Sequence, residues 1–440
     1  MEAWRLPDSC PVKISDIDAF QIFDSRGNPT VEAVVTLESG ITGHGLVPSG
    51  ASTGQFEALE LRDGDPTHFR GKSVRQAIQH IRTEIADIAK GRNVEDQRGL
   101  DDALIQADGT PNKSRLGANA ILGVSMAAAN AAANAKGVPL HASLGDGTLL
   151  PLPEIQIFGG GAHANWRTDV QDFLVIATGA ETYEQTLEIT FNVFHAAGEI
   201  MRERGHNFGA ADEGGYWPEF STNEQALQTF QEALRRVGYT PGQEAALSLD
   251  IAASDLYDES TGHYRFGLEK RQFTSSEFAD LMTEWCEKYC VVSIEDPMAD
   301  SDWEGWERVH ASLGKHVQII GDDLFTTNPE RIKEGIRRGV ANSVLIKLNQ
   351  IGTVSETMDA IRLTQSAGWA PVVSARSGET EDTFISHLAV ATNAGQLKVG
   401  SFCRSERMAK WNEVLRIGRH LGSKARFTGK SVLAQHLIHH

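Results

Sequence analysis

The alternation of hydrophobic and polar positions changes its character near residue 150. In residues 13–47, short apolar runs are separated by turn residues. Residues 30–37 are typical of a strand, and the Glu-Ser-Gly turn at 38–40 predicts a hairpin. Residues 73–136 follow a helical pattern, and the alanine-rich stretch 117–135 predicts a helix that packs closely against its neighbour. The pattern predicts a first α+β domain over residues 13–145.

Beyond residue 150, short apolar runs alternate with amphipathic segments of helical length. Thr222 and Gln225 form a capping pattern at the start of one helix, which Gly238 ends. Strand and helix repeating about every 25 residues is typical of a parallel sheet. Several consecutive units favour a closed barrel over residues 146–430, with an open doubly wound sheet as the alternative. The strand candidates are residues 246–251, 291–295, 317–321, 344–348, 371–374 and 397–400, and the helix candidates include 276–288, 303–314 and 354–367.

Charged or polar residues stand at or near the ends of these strand candidates. In a β/α barrel the carboxyl ends of the strands converge on one mouth, so residues far apart in sequence meet there. One acid at a strand end is commonly a helix cap, but three acids followed by two lysines are hard to explain as caps. The set comprises Asp250, Glu295, Asp322, Lys347, Arg376, Ser377 and Lys398.

This set predicts a particular chemistry. Three carboxylates without a cysteine or histidine beside them make an oxygen-rich site that suits Mg²⁺. A lysine near a divalent cation and a second ammonium group is expected to have a lowered pKa and to act as a base. Removing a proton next to a carboxylate creates a dianionic enolate, which needs a cation beside it. The residues therefore predict proton abstraction next to a metal-bound carboxylate.

The composition restricts the partners. Fifty-nine acidic and 41 basic residues give a net charge of −18, which disfavours nucleic acid and anionic membranes as partners. No run approaches the roughly 18 apolar residues of a membrane span. The N-terminus lacks a basic segment followed by an apolar one, so a cytoplasmic location is expected. The four cysteines do not form a zinc pattern and are expected to be reduced.

Long strings in the chain resemble the enolase family across about residues 14–426. The matching strings are too long to arise by chance. They include DSRGNPTVE at 24–32, VPSGASTG at 47–54, DEGG at 212–215, GDDL at 321–324, KLNQIGT at 347–353, RSGETED at 376–382 and RSER at 404–407.

The resemblance implies an enolase-type β/α (TIM-like) barrel with an N-terminal α+β capping domain, assembled as a homodimer or a homo-octamer. It also implies roles for individual residues. Those expected to bind metal are Asp250, Glu295 and Asp322 for a first Mg²⁺, and Ser52 for a second. Those expected to act in catalysis are Lys347 as the base, Glu213 as the acid, Asp172 as its support and His163 on a closing loop.

Substrate binding is assigned by the same resemblance. Lys398 would hold the substrate carboxylate, while Arg376 and Ser377 would hold its phosphate. Ser52 and His163 would contact the substrate from their loops. The implied ligand is a small anionic phospho- or phosphono-carboxylate.

Several departures from the family fall in the site. Ala375 stands where enolases have histidine, and Asp172 stands where they have glutamate. The loop at 159–163 reads Gly-Gly-Gly-Ala-His, and the bulky Tyr216 and Trp217 follow the DEGG string. Ala375 removes a hydrogen-bond donor and leaves space, while Asp172 keeps its charge but withdraws it by one methylene. The base and the metal acids are intact, whereas the side facing the leaving group has changed.

Three functions are consistent with this pattern. The first is dehydration of 2-phosphoglycerate to phosphoenolpyruvate. The second is dehydration of a phosphonate-bearing glycerate, as in the carboxyphosphonoenolpyruvate synthases of this family, and the space at Ala375 motivates it. The third is a catalytically weak binding or scaffold protein, which would have no evident need for Lys347 and Lys398 together. Residues 428–440 carry no assignment.

Overall fold

The computed structural model describes residues 12–51 and 53–433. Its first part is a three-stranded antiparallel sheet covered by helices. Along the second strand, alternate side chains from Val31 to Leu37 are buried, which is the period expected of a strand with one face on a core. The elements are β1 (Ile14–Phe23), β2 (Pro29–Leu37), β3 (Thr42–Leu46), α1 (Arg75–His80), α2 (Ala86–Ala89), α3 (Gln97–Asp108), α4 (Ala118–Lys136) and α5 (Leu140–Leu144), with a π-helical turn (Ile81–Ile85) joining α1 and α2.

The alanine-rich α4 packs directly on the sheet, as its small residues predict. The approach is closest at Gly43 and Gly45 of β3. A Cβ atom at Gly43 would lie 2.2 Å from the carbonyl oxygen of Ala127. The two glycines therefore allow the helix backbone to touch the strand.

Thirteen further strands follow, and eight of them close into a barrel. They are β4 (Leu152–Gly159), β5 (Asp172–Ile176), β6 (Asn207–Ala210), β7 (Tyr216–Pro218), β8 (Ala246–Asp250), β9 (Tyr257–Asp258), β10 (His263–Phe266), β11 (Arg271–Thr274), β12 (Val291–Glu295), β13 (Gln318–Gly321), β14 (Ser343–Ile346), β15 (Ala370–Ser374) and β16 (Gln396–Ser401). The barrel order is β4, β5, β8, β12, β13, β14, β15, β16, and β16 pairs with β4 to close it. The closed barrel is confirmed over the open sheet.

The parallel sheet expected for the predicted strands is present, and one further barrel strand departs from it. β5 runs antiparallel to both of its neighbours, β4 and β8, while the other barrel pairs are parallel. β4 and β5 are joined by residues 160–171, which contain one 3₁₀ turn (Gly161–Ala164) and no α-helix, and the chain returns beside β4 as an antiparallel strand. The six strands expected from the sequence are present, with ends that differ by one or two residues.

Helices surround the barrel in the intervals between strands. They are α6 (Tyr183–Arg204), α7 (Asn223–Arg236), α8 (Ser275–Lys288), α9 (Trp303–Leu313), α10 (Pro329–Arg338), α11 (Leu348–Ile351), α12 (Val354–Ser366), α13 (Phe384–Ala391) and α14 (Ser405–Leu421). The Thr222 hydroxyl caps α7 by accepting from the Gln225 amide at 3.1 Å, as predicted. Within the described residues, no helix combines the length and apolar character needed to cross a bilayer.

Candidate active site

The site residues predicted from strand ends lie together at one mouth of the barrel. Asp250 ends β8 and Glu295 ends β12, while Asp322 and Lys347 directly follow β13 and β14. Lys398 lies within β16, opposite Ser374 of β15. Asp172 reaches the same mouth although it begins its strand, because β5 runs in the reverse direction and pairs Asp172 with Asp250.

Lys398 is enclosed by acids. Its Nζ lies 2.8 Å from Oδ2 of Asp250 and 2.7 Å from Oε2 of Glu295. Burial would lower the pKa of Lys398, but the two carboxylates reverse this and hold the pKa well above its ordinary value. Burial and the charge of Asp250 raise the pKa of Glu295. The Lys398 ammonium group lowers it by less, so the net shift is upward. The cluster is buried and dense in charge.

Lys347 forms a second ion pair, with Asp322. Its Nζ lies 2.6 Å from Oδ2 of Asp322, and the other carboxylate oxygen accepts from Nε2 of Gln350 at 2.8 Å. Burial opposes the charged amine, yet Asp322 outweighs it, and the pKa of Lys347 is raised. This shift is set by the protein's own groups. The lowered pKa expected from the sequence requires a divalent cation beside the lysine, so it stays a prediction.

Glu213, Asp172 and His163 form the opposite wall of the mouth. The Nδ1 atom of His163 lies 3.8 Å from Asp172 and 3.9 Å from Glu213. Burial and the neighbouring Asp172 charge raise the pKa of Glu213. Burial lowers the pKa of His163, but the neighbouring carboxylates of Asp172 and Glu213 raise it, and the net shift is upward. A carboxyl group with a raised pKa suits proton donation.

Arg376 and Ser377 lie on the loop after β15. The backbone of this loop is fixed by Arg407, whose guanidinium donates to the carbonyls of Arg376 and Ser377 at 2.6 Å each. The Ser377 hydroxyl accepts from the Ala51 amide at 2.9 Å, which brings the first domain to the mouth. Ser52, assigned from the sequence to metal and substrate, lies outside the described residues.

The mouth holds a small polar cavity of about 20 Å³. That volume is enough for a water molecule. Ala375 lines the cavity and is almost fully buried. Tyr216 and Trp217 do not line it: Tyr216 stacks on Phe194 at 4.6 Å, and Trp217 lies 5.6 Å from the Arg167 guanidinium. Of the departures from the family, Ala375 and Asp172 therefore touch the cavity, while the bulky pair does not. The lining also includes His163, Gln171, Glu213, Asp250, Lys347, Arg376, Ser377 and Lys398.

The acids at the mouth fit a divalent cation. Glu295 Oε1 is buried and, among the described residues, has no hydrogen-bond partner. An unsatisfied buried carboxylate oxygen is costly unless a cation or a donor meets it. Asp250 and Asp322 lie at the ends of the strands that flank β12, so the three acids stand at neighbouring strand ends. Among the described residues, the carboxylates that approach one another closely enough to share one ion are Asp296, Asp322 and Asp323.

Two acids of the RSGETED string hold the local backbone. Glu379 accepts from the Arg376 amide at 3.0 Å and pairs with Lys410 at 2.9 Å. Asp382 accepts from the Phe384 amide at the start of α13. Cys286, Cys290 and Cys403 are free thiols, and Cys10 lies outside the described residues.

Several residues at the mouth were missed by sequence reasoning. Gln171 donates to Asp250 at 3.0 Å, and Gln156 donates to Asp172. Glu57 pairs with Arg376 at 2.9 Å. Gln350 lies inside the KLNQIGT string and Gln171 directly precedes Asp172, and these are the signals that could have found them. Glu57 and Gln156 carry no local signal.

A closed β/α barrel with acids and two lysines at the carboxyl ends of its strands is the architecture of enzymes that act on small molecules at the barrel mouth. Comparison with known families identifies the chain more specifically than this architecture does. Residues 14–144 match the family description "Enolase, N-terminal domain" and residues 147–436 match "Enolase, C-terminal TIM barrel domain". Enolase 1 of Desulfitobacterium hafniense (strain Y51) is 54% identical over 425 residues, which cover 96% of this chain and 97% of that protein. The chain belongs to the enolase family.

Proposed function

We propose that the protein removes water from 2-phosphoglycerate to give phosphoenolpyruvate through an enolate. The observation that carries this function is the placement of Lys347 and Glu213 on the lining of one small cavity. A base and an acid that share one cavity can remove a proton and deliver another to the same small molecule. The relationship to Enolase 1 supports the same reaction.

Each step uses groups at the mouth. Lys347 Nζ takes the proton from C2, and the electron pair remains on the substrate as an enolate. Glu213, whose pKa is raised by burial and by Asp172, gives its proton to the C3 hydroxyl, which leaves as water. Lys398 holds the carboxylate of the substrate, and Arg376 with Ser377 holds the phosphate.

Asp250, Glu295 and Asp322 would hold a divalent cation. When bound, that cation stabilises the negative charge that develops on the substrate carboxylate. We infer Mg²⁺, because the ligands are all carboxylate oxygens. A second Mg²⁺ per site follows from the family resemblance through Ser52.

The two other functions considered from the sequence are not favoured. Identity of 54% to an enolase over nearly the whole chain supports 2-phosphoglycerate rather than a phosphonate. Lys347 and Lys398 form buried ion pairs, and the desolvation of such charges reduces stability. A scaffold protein would carry this cost without using either lysine.

The first experiment is an absorbance assay for phosphoenolpyruvate with purified protein, 2-phosphoglycerate and Mg²⁺. Lys347→Ala should reduce kcat by about 10²- to 10⁴-fold, the usual contribution of a general base. Lys333→Ala, which removes a lysine exposed on α10, is the matched control and should leave kcat unchanged. A chelator should abolish turnover, and added Mg²⁺ should restore it. Wild-type protein that binds Mg²⁺ without converting 2-phosphoglycerate would overturn this function.

We further propose a homo-oligomeric, cytoplasmic protein. Phe23 on β1 and Phe69 have ring centroids 5.7 Å apart and are 51% and 46% exposed, and such a pair of exposed rings favours a contact between copies. Light scattering at micromolar concentration should give at least twice the 47.9 kDa mass of the chain.

A further inference from the structure

Glu57 holds the arginine expected to bind the substrate phosphate. Its Oε2 lies 2.9 Å from Nη1 of Arg376, and its Oε1 lies 3.2 Å from Nη2. The pair is bidentate, and both side chains are more than 90% buried. Such a pair combines charge with fixed geometry, so Glu57 sets the plane of the guanidinium group. Asn349 Oδ1 accepts from the same Nη1 at 2.9 Å.

The same carboxylate holds the chain segment 53–57. Oε1 of Glu57 accepts from the Gly54 amide at 3.1 Å, and the Glu57 amide donates back to the Gly54 carbonyl at 3.1 Å. The neighbouring Phe56 ring lies 3.6 Å from the Arg331 guanidinium, which anchors the segment on α10. The segment is therefore fixed on two sides, by Arg376 at the mouth and by Arg331 outside it.

Glu57 is also connected to the acids of the cation site. Gln350 Nε2 donates to Oε1 of Glu57 at 3.2 Å and to Oδ1 of Asp322 at 2.8 Å. The backbone carbonyl oxygen of Gln350 accepts from the Ala58 backbone amide at 2.8 Å. One amide group thus joins a carboxylate of the proposed cation site to the carboxylate that orients Arg376.

We propose, on the basis of the proposed function, that Glu57 is a positioning residue that fixes Arg376 and segment 53–57 as one unit. With Glu57 in place, the arginine and the first domain meet the substrate phosphate in a single prearranged geometry. Without it, each must be ordered when the substrate binds, and that ordering reduces affinity.

A different role would be competition, in which Glu57 occupies Arg376 until the phosphate displaces it. The contacts favour positioning, since Glu57 is bonded by Gly54 and Gln350 as well as by Arg376, and all of these bonds would break on displacement. The two roles predict opposite changes in anion affinity, so they can be separated by experiment.

The test compares Glu57→Gln, Glu57→Asp and Glu60→Gln. Glu57→Gln keeps the size of the side chain but removes the charge that Arg376 meets. Glu60→Gln is the matched control, because Glu60 lies three residues along and contacts Ser49 and Arg62 rather than Arg376. The first readouts are KM and kcat for 2-phosphoglycerate and the affinity for inorganic phosphate by calorimetry. The second is hydrogen–deuterium exchange of the peptide spanning residues 53–60 in the free protein.

Positioning predicts that Glu57→Gln raises KM at least tenfold, weakens phosphate binding and speeds exchange of the 53–60 peptide. Glu57→Asp should fall between Glu57→Gln and wild type, and Glu60→Gln should stay within threefold of wild type. Tighter phosphate binding by Glu57→Gln would establish competition and overturn the proposal. Unchanged KM and exchange, or equal losses in Glu60→Gln, would overturn it as well. Exchange and phosphate binding need no turnover, so they remain informative if 2-phosphoglycerate is not the substrate.

Discussion

Gln156 connects Asp172 to the turn that carries Glu213. Its amide nitrogen donates to Oδ1 of Asp172, and its amide oxygen accepts from the Gly215 amide at 2.8 Å. Asp172 is one methylene shorter than the glutamate usual in the family, and this glutamine fixes its carboxylate. The position of the proposed acid, Glu213, therefore depends on a buried side chain that does not line the cavity.

Gln156→Ala should lower kcat for 2-phosphoglycerate by about 10- to 100-fold with little change in KM. Displacing a catalytic group by about 1 Å costs up to about 10²-fold, while Lys398 and Arg376 keep their places. Steady-state kinetics measure both constants. Gln318→Ala is the matched control, because Gln318 is an equally buried barrel glutamine bonded to Ser293 and Gln396. Equal losses in both variants would mean that barrel stability, and not the placement of Asp172, is responsible.

Arg376→Lys should raise KM for 2-phosphoglycerate more than tenfold although the charge is conserved. A lysine cannot reproduce the bidentate pair with Glu57 together with the bond to Asn349. Arg338→Lys changes an arginine that pairs with Glu334 on the surface of α10 and should leave KM as in wild type. A KM within twofold of wild type for Arg376→Lys would contradict the assignment of Arg376 to the phosphate.

Glu154→Gln should stabilise the protein at alkaline pH. Burial inside the barrel raises the pKa of Glu154 to about 7 from an ordinary value of 4.5. Between these values the folded state keeps a proton that the unfolded chain has lost, so the free energy of unfolding falls as pH rises through this window. The cost at pH 8 is about 3 kcal/mol.

Urea denaturation at pH 5 and pH 8 measures this effect. Wild type and Glu154→Gln should differ little at pH 5, and the variant should be the more stable protein at pH 8. Glu188→Gln, at an exposed position on α6, should follow wild type at both values. A variant less stable than wild type at pH 8 would show that the ionised carboxylate is stabilising.

Gly43→Ala should destabilise the first domain by about 2–4 kcal/mol, because overpacking against a backbone forces strand and helix apart. The new Cβ atom would lie 2.2 Å from the Ala127 carbonyl oxygen. Gly123→Ala is the contrasting variant, since its Cβ atom would meet side-chain atoms no closer than 3.3 Å. Thermal unfolding of both should show a clearly larger loss for Gly43→Ala.

Much of the barrel could be predicted because its strands carry a local signal. The strands that end in Asp250 and Glu295 are short apolar runs between helices, and their ends identified the acids of the mouth. β4 and β5 were not among the predicted strands. Pro153, Glu154 and Gln156 interrupt the apolar pattern of β4, although its side chains are buried throughout.

The contacts within the site could not be predicted in the same way. Glu57 and Arg376 lie 319 residues apart, and nothing local in the sequence indicates that they meet. The direction of the Lys347 pKa shift also depends on which neighbour is nearer, and the sequence does not give distances. Asp322 lies 2.6 Å away, and its charge decides the direction.

The reversed strand β5 has a consequence for how the chain reaches its native state. Because β4 and β5 form a hairpin, His163 and Asp172 meet within a local segment that can close early in folding. The Glu57–Arg376 pair joins the first domain to a late strand end of the barrel. It can form only after the barrel and the first domain have docked. We therefore expect the acid side of the mouth to be assembled first during synthesis, and the phosphate side to be completed only when the whole chain is present.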